Sequence, residues 1–348
     1  MKISDSSCKF VSIIILNYNG GDVIVDCIRS VLKTKNVSFE IILIDNNSSD
    51  NSENKCDMLD PRIKLIKNKE NIGLTARNLG IDSAKGEFIV FLDSDTIVQE
   101  NWLKNLIISY EKNGDGLYQP KFLELDNRKI ISSAGNMINL FGFAYSIGRG
   151  EEDYGQYEKF KKIGYAPGAC TFASIDTIKK IGKIEPMFFA YHDDLDYGWR
   201  AQLLDIPSYY EPTSIVYHYV SHTLSWNSKK FFLLERNRWI CLLTLYSRKT
   251  LYKILPMLIL LEFGISFYFL VKGMGGTKIK SLFGIIKLNK EIKERKKTLQ
   301  QTRKISDKEI VTNFVDDFLL STSRKNNNSL LISNIITKLS KMARNRLK

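Results

Sequence analysis

EFIVFLDSDT, residues 87–96, runs from an apolar stretch straight into two carboxylates one residue apart. Glu87–Leu92 reads as a strand buried on both faces, because its Phe, Ile, Val and Leu form a continuous apolar run. The strand stops at Asp93-Ser94-Asp95. Upstream the same kind of run recurs, with helical stretches between. Phe10–Tyr18 is apolar and β-branched, and Asp22–Thr34 carries Val23, Cys27 and Val31 at helical spacing. Glu40–Asp45 is a second buried strand, ending in Asn46-Asn47-Ser48-Ser49-Asp50, and Ile63–Ile66 is a short third one. Asn71–Ala84 and Asn101–Tyr110 read as helices on either side of the quoted strand. This alternation predicts an α/β fold with a parallel sheet covered on both faces.

Such sheets bind ligands in the crevice outside the carboxyl ends of their strands. Those ends carry Asn17-Tyr18-Asn19, Asp45-Asn46-Asn47 and Asp93-Ser94-Asp95, so a polar, acidic pocket is predicted there. No GxGxxG or Walker-type loop follows the first strand, which argues against a dinucleotide or P-loop site.

Further along, Leu117–Gly164 mixes Gly, Tyr and Phe with short alternating runs and reads as hairpins or a lid. Tyr165–Ser174 reads as a strand, Asp193–Leu204 as a short helix that starts in an acidic cluster, and Ser208–Val220 as a strand carrying His218. Ile254–Val271 is almost purely apolar, broken by Pro256 and Glu262, and borderline in length for a membrane span. Leu331, Ile335, Leu339 and Met342 recur at helical spacing among lysines and arginines, as in an interfacial helix.

The chain has 348 residues, 19 Phe and 16 Tyr, enough for one large α/β domain with an appended segment. The net charge of +13 sits in the tail: Lys272–Lys348 holds 19 Lys+Arg against 6 Asp+Glu, and the rest is formally neutral. The tail lacks the aromatic interleaving of a single-strand nucleic-acid binder. The apolar segment before it favours anionic lipid as its partner. Five scattered cysteines with no CxxC pair argue against a disulfide framework or a structural zinc. The N-terminal MKISDSSCKF has no apolar core or cleavage site of a signal peptide.

Several side chains carry candidate chemistry. Asp93 and Asp95, held at a strand end, can grip a hard divalent cation, or they can be an ordinary polar turn. Asp193, Asp194 and Asp196 lie close enough to repel one another, which raises at least one carboxyl pKa and suits a general base. The same cluster also suits the start of a helix. His218 reads as a metal ligand or as a half-buried histidine. Arg236 and Arg238 can bind a diphosphate or mark a membrane interface. Trp102, Trp226 and Trp239 read as packing or interface residues.

Taken together, VSIIILNYNG, IILIDNNSSDNS, NIGLTARNLGI, EFIVFLDSDT and FFAYHDDLDYGWRAQLLDI resemble the family-two glycosyltransferases, which have the GT-A fold. SIVYHYVSHT and RNR extend the likeness toward rhamnosyltransferase-like members, over Phe10 to Tyr246. The resemblance implies a Rossmann-like, mixed, mostly parallel sheet flanked by helices. It implies that Asp45 contacts the nucleobase, that Arg77 lines the nucleotide pocket and that Asn17 and Tyr18 lie along the nucleoside, with Arg236 as a further nucleotide contact. Asp93 and Asp95 match the DxD motif, with Asp95 the direct ligand of Mg²⁺ or Mn²⁺ and His218 completing the metal site. Asp194 matches the family's acidic general base. Asp193 stands where Glu is usual, which leaves Asp193 and Asp194 both in view for that role.

The implied reaction is an inverting transfer from a nucleotide-sugar donor to a lipid-linked or glycan acceptor. The expected organisation is a catalytic domain over 1–246, an apolar membrane-associated helical segment over 247–290 and a basic helical tail over 291–348. Nucleotide sugars are cytosolic, so the expected place is the cytoplasmic face of the membrane. A single span would put the basic tail outside, against the positive-inside rule, so interfacial or re-entrant helices are expected. No nucleic-acid partner is expected. The competing readings are a polyprenyl-phosphate glycosyltransferase, which needs no general base, and a non-catalytic sugar-nucleotide-binding subunit.

Overall fold

The computed structural model describes residues 9–219, 227–317 and 327–347. In chain order the elements begin β1 (Phe10–Asn17), α1 (Gly21–Leu32), β2 (Ser38–Asp45), α2 (Ser52–Asp57), β3 (Ile63–Lys67), α3 (Arg77–Ser83), β4 (Phe88–Asp93), β5 (Thr96–Val98) and α4 (Trp102–Asn113). Six strands follow: β6 (Leu117–Glu124), β7 (Ile131–Ser133), β8 (Asn136–Ile138), β9 (Ala144–Ser146), β10 (Lys161–Ile163) and β11 (Cys170–Ser174). Then come α5 (Ile175–Ile181), α6 (Asp193–Leu203), β12 (Ser208–His218), α7 (Ser228–Leu245), α8 (Arg248–Val271), α9 (Gly275–Lys287), α10 (Asn289–Thr302), α11 (Asp307–Ile310) and α12 (Asn327–Asn345). The chain forms two compact units. One comprises Met1–Gly135, Ser146–Phe189 and Ile206–Val220; the other comprises Asn136–Tyr145, Ala190–Asp205 and Ser221–Lys348.

The first unit is a mixed sheet in the order β10-β12-β6-β11-β4-β1-β2-β3, with β5 paired to β12 and β7 to β6. β4, β1, β2 and β3 are parallel, as their unbroken apolar runs require. The register aligns Asn17 with Asp45 and Leu16 with Asp93, so three polar strand ends share one edge. The apolar face of α1, with Ile24, Cys27, Ile28 and Val31 fully buried, covers that half. β11 runs antiparallel to β4 and β6, which makes the sheet mixed rather than all-parallel.

Several elements differ from the sequence expectation. Asn71–Ala84 is not one helix: a 3-10 turn over Gly73–Ala76 precedes α3. The Gly73 φ of +68° forbids a helical start, and a Cβ there would lie 2.1 Å from the Phe189 carbonyl oxygen. The expected strand over Tyr165–Ser174 is confined to Cys170–Ser174. Val220, the expected end of β12, lies outside the described residues, as do His222 and Trp226. In the expected hairpin region, Leu117–Glu124 is a long interior strand, and only the later part is short hairpins. Its buried Gln119 and Lys121 hid it in the sequence. Gln119 Nε2 donates to Ser133 Oγ at 3.0 Å, and Lys121 Nζ meets Asp153 Oδ2 at 2.9 Å and Glu158.

The second unit is mostly helical. α8 is long and apolar enough to cross a membrane by length and composition, with 28% of its most apolar window buried. α7 carries Glu235 and Arg238, α8 carries Glu262 and α9 carries Lys278. These four side chains form a closed set of ion pairs. Arg238 is therefore paired inside the helices, which removes it as a diphosphate ligand. Among the described residues Cys27, Cys56, Cys170 and Cys241 are free and buried, in keeping with the absence of a disulfide pattern.

Candidate active site

Strand ends build the site in the first unit. Asn17, fully buried at the end of β1, donates its amide to Asp45 Oδ1 at 3.0 Å, Ser52 Oγ at 2.8 Å and Ser48 Oγ at 3.1 Å. Its own Oδ1 accepts from the Gly20 amide at 3.2 Å. Asn17 is thus turned inward and fixes Asp45, whose other oxygen accepts from the Ser48 amide at 3.1 Å. Tyr18, next in the chain, is 53% exposed at the same edge.

Asn46 was not singled out in the sequence, yet it organises the following loop. Its amide donates to Asn71 Oδ1 at 2.8 Å and to the Gly73 carbonyl, and its oxygen accepts from Asn68 and from the Ile72 amide. That loop delivers Arg77 at the start of α3. Arg77 is 1% exposed and pairs through Nη2 with Asp93 Oδ1. Among the described residues its buried Nε has no hydrogen-bond partner.

Asp93 and Asp95 flank a tight turn between β4 and β5. Thr96 Oγ1 donates to the Asp93 carbonyl at 2.8 Å, and the Tyr219 amide donates to the Asp95 carbonyl at 3.0 Å. β5 pairs with β12 so that Thr96 faces His218, which brings the histidine to the turn from more than 120 residues away in sequence (~120). His218 Nε2 lies 3.4 Å from Asp95 Oδ1. Asp93, Asp95 and His218 each offer one ligand atom, and these atoms lie within 4.8 Å of one another. Burial lowers the His218 pKa, but the Asp95 hydrogen bond and the charges of Asp95 and Asp93 outweigh it, so the imidazole is held above its usual value. Two carboxylates and one imidazole, partly exposed, fit a divalent cation such as Mn²⁺ or Mg²⁺.

The remaining candidates lie in the second unit. Asp193 and Asp194 occupy the first turn of α6, Asp193 buried and Asp194 partly exposed. Asp194 Oδ1 accepts from the Leu195 amide at 2.7 Å. The third carboxylate has a different role. Asp196 is fully buried between Arg200 Nε at 2.9 Å and Arg295 Nη2 at 2.6 Å, so mutual repulsion of three charges does not describe the cluster. The capping position is His192, whose side chain makes no capping bond. Backbone φ is positive at Phe189, Tyr191 and His192, a strained run for residues other than glycine.

Asn237, also missed in the sequence, holds that run. Fully buried on α7, it donates to the Ala190 and Tyr191 carbonyls, both at 2.8 Å. Arg236 donates through Nε and Nη2 to Asn237 Oδ1 at 3.0 and 2.9 Å and lies over the Phe232 ring. Burial lowers the Arg236 pKa. The only signal for Asn237 was its place between two arginines in RNR. Trp102 packs as expected, fully buried with Nε1 donating to Thr34 Oγ1 at 3.0 Å.

Residues 12–182 match the model of the family described as Glycosyl transferase family 2. The glycosyltransferase GlyG of Streptococcus pneumoniae is 41% identical over 103 residues, covering 28% of this chain and 34% of that protein. An Escherichia coli protein, the UDP-Glc:alpha-D-GlcNAc-diphosphoundecaprenol beta-1,3-glucosyltransferase WfgD, is 37% identical over 123 residues, 35% of this chain and 49% of its own. The chain thus spans between a third and a half of these relatives' length. The structure of GalNAc-T7 with UDP, GalNAc and Mn²⁺ aligns with 72% of this chain and 51% of its own, at TM-score 0.58 and 16% identity, a likeness of fold. The family match over residues 12–182 makes this part of the chain similar to glycosyl transferase family 2, and the fold is the GT-A fold.

Proposed function

We propose that this chain is an inverting glycosyltransferase of the rhamnosyltransferase-like kind. It moves a sugar from a nucleoside-diphosphate donor to a hydroxyl of a lipid-linked glycan acceptor. The product belongs to cell-surface polysaccharide assembly, and the enzyme works at the cytoplasmic face of the membrane. The observation that carries this reading is the Asp93–Asp95–His218 cluster on the sheet edge that also holds Asp45 and Arg77. The WfgD name, with its diphosphoundecaprenol acceptor, supports the lipid-linked class. Residues 1–246 form the catalytic domain, 247–290 its membrane-associated segment and 291–348 a basic tail.

In this mechanism Asp45 receives the nucleobase, positioned by Asn17, and Tyr18 lies along the nucleoside. Arg77, paired with Asp93, lines the nucleotide pocket, and Arg236 makes a further nucleotide contact. Asp95, His218 and Asp93 would hold Mg²⁺ or Mn²⁺. Such a cation, when bound, neutralises the leaving diphosphate. Asp93 is shared with Arg77, which makes Asp95 the more direct ligand. Asp194, or its neighbour Asp193, takes the proton of the acceptor hydroxyl as its oxygen attacks the anomeric carbon, and the nucleoside diphosphate departs from the opposite face.

The test is nucleoside diphosphate release from a panel of nucleotide sugars, with membrane lipid extract as acceptor, run with Mn²⁺, Mg²⁺ or chelator. Metal-dependent release from one donor is the expected result. Absence of both turnover and nucleotide binding across the panel would sink the reading.

A further inference from the structure

α8 passes as a membrane span by length and composition, but its packing places it elsewhere. Ile254, Met257, Leu258 and Leu261 form one helical face, and all four are buried within the second unit. Glu262, in the middle of α8 on that same side, is ion-paired to Arg238 of α7 and to Lys278 of α9. Arg238 is itself fixed by Glu235 and by the Phe141 carbonyl at 3.3 Å. The centre of α8 is therefore tied to α7, a helix that carries Glu235, Arg236, Asn237 and Arg238 and cannot enter hydrocarbon. A spanning α8 would have to pull Glu262 out of this cluster and leave three buried partners unbalanced.

The opposite face of α8 is apolar and exposed. Tyr252, Ile259, Phe263, Phe267 and Leu270 recur at helical spacing, and Phe263 is 71% exposed. α9 continues the surface with Ile279, Phe283 and Ile286, again one helical stripe, each more than half exposed. Arg248–Lys287 contains seven basic side chains and one acidic, Glu262. Lys278 and Glu262 are consumed by the buried cluster, which leaves six basic side chains and no acidic one over this stretch. Lys272, Lys280 and Lys287 are exposed. Apolar stripes rimmed by lysines match one leaflet of an anionic bilayer. A second copy of the same surface would bring like charges together.

We infer that α8 and α9 lie side by side in a single leaflet of an anionic membrane, inserted through the Phe263–Phe283 face, with no crossing of the bilayer. This deepens the membrane partner proposed above and rests on that reading for its biological setting. Vesicle binding needs no turnover, so the two can fail separately.

The experiment uses the full chain with phosphatidylcholine vesicles, with and without phosphatidylglycerol. Binding is expected to rise with the anionic lipid and to weaken with salt, by about fivefold for each lysine that meets the surface. Phe263→Ser combined with Phe283→Ser is expected to cut partitioning at least about tenfold. Both side chains are exposed, so the thermal melt and nucleotide binding should be unchanged. In a second arm, Lys272→Cys is reconstituted with the catalytic unit outward and treated with a membrane-impermeant maleimide. The parent chain controls for the native cysteines. Labelling from the outside is expected, whereas a spanning α8 would carry residue 272 to the protected side. Protection of that cysteine, absence of vesicle binding, or a soluble dimer broken by the same Phe→Ser pair without vesicle binding would each overturn the inference.

Discussion

The two regions that carry acidic side chains are positioned by different physics. In the first unit, register does the positioning: Asn17, Asp45 and Asp93 end three adjacent parallel strands, and pairing of β5 with β12 adds His218 beside Asp95. Each side chain follows from where its strand stops. In the second unit, Asp193 and Asp194 follow a backbone run with positive φ at Phe189, Tyr191 and His192. That run persists because Asn237 holds two of its carbonyls and because Asp196, Arg200 and Arg295 bury the first turns of α6. A sheet edge tolerates change at neighbouring positions, whereas a strained run depends on a few buried polar contacts.

If the second region supplies the base, Asp194→Asn should lower turnover by about 10²- to 10⁴-fold while donor binding stays intact. The measurement is nucleoside diphosphate release beside equilibrium binding of the same donor. Retained turnover would move the chemistry to an acceptor that needs no base, such as a lipid phosphate. In the first region Asp95→Ala should cost about 10³-fold, from loss of several kcal/mol of charge stabilisation at the diphosphate. Here metal titration is the discriminating readout. The variant should need far more Mn²⁺ or Mg²⁺ for any residual rate, a change that Asp194→Asn should not show. Identical metal titrations in the two variants would break the division of labour.

This contrast also explains what the sequence could reveal. Continuous apolar runs such as VSIIILN and FIVFLD can only be buried strands, so their polar ends were legible as a site edge before any tertiary information. β6 was not legible, because Gln119 and Lys121 look like surface residues until Ser133, Asp153 and Glu158 arrive to pair them. The same holds for Arg238, whose partner Glu262 lies 24 residues away and is shared with Lys278. Asn46 and Asn237 gave no periodic signal, since one buried amide that holds a loop changes no pattern. Asp196 looked like a third repelling charge until two arginines were found to neutralise it.

The burial of His192 offers a way to test the second region without catalysis. Desolvation, aided by the nearby Arg238 charge, pushes its pKa down to about 4, against the opposing pull of its hydrogen bond to the Gly142 carbonyl and of Asp196. The unfolded chain therefore binds a proton that the folded chain refuses, between the usual histidine value and about 4. Stability should be full above about pH 6.5 and should fall as the pH drops toward 4, by about 3 kcal/mol from this side chain. His192→Gln removes the titrating group and keeps a donor for Gly142. Urea unfolding of both proteins at several pH values should show a shallower acid slope for the variant, because the carboxylates they share cancel in the difference. Parallel slopes would mean that the imidazole reaches water and that the strained run opens.

The smallest effect, and the sharpest for the comparison, belongs to Asn237. In Asn237→Ala the Ala190 and Tyr191 carbonyls lose their shared donor and Arg236 loses one acceptor, which should cost about 1–3 kcal/mol of stability. Because these contacts fix the run before Asp193 and Asp194, kcat should fall by about tenfold while the metal requirement is unchanged. A comparable loss in a residue that merely supports folding would lower the amount of active enzyme and leave kcat per folded molecule intact. Steady-state rates normalised by titrated nucleotide-binding sites separate these outcomes. A normal normalised kcat would show that α6 keeps its acidic turn in place through the Asp196 pairs alone.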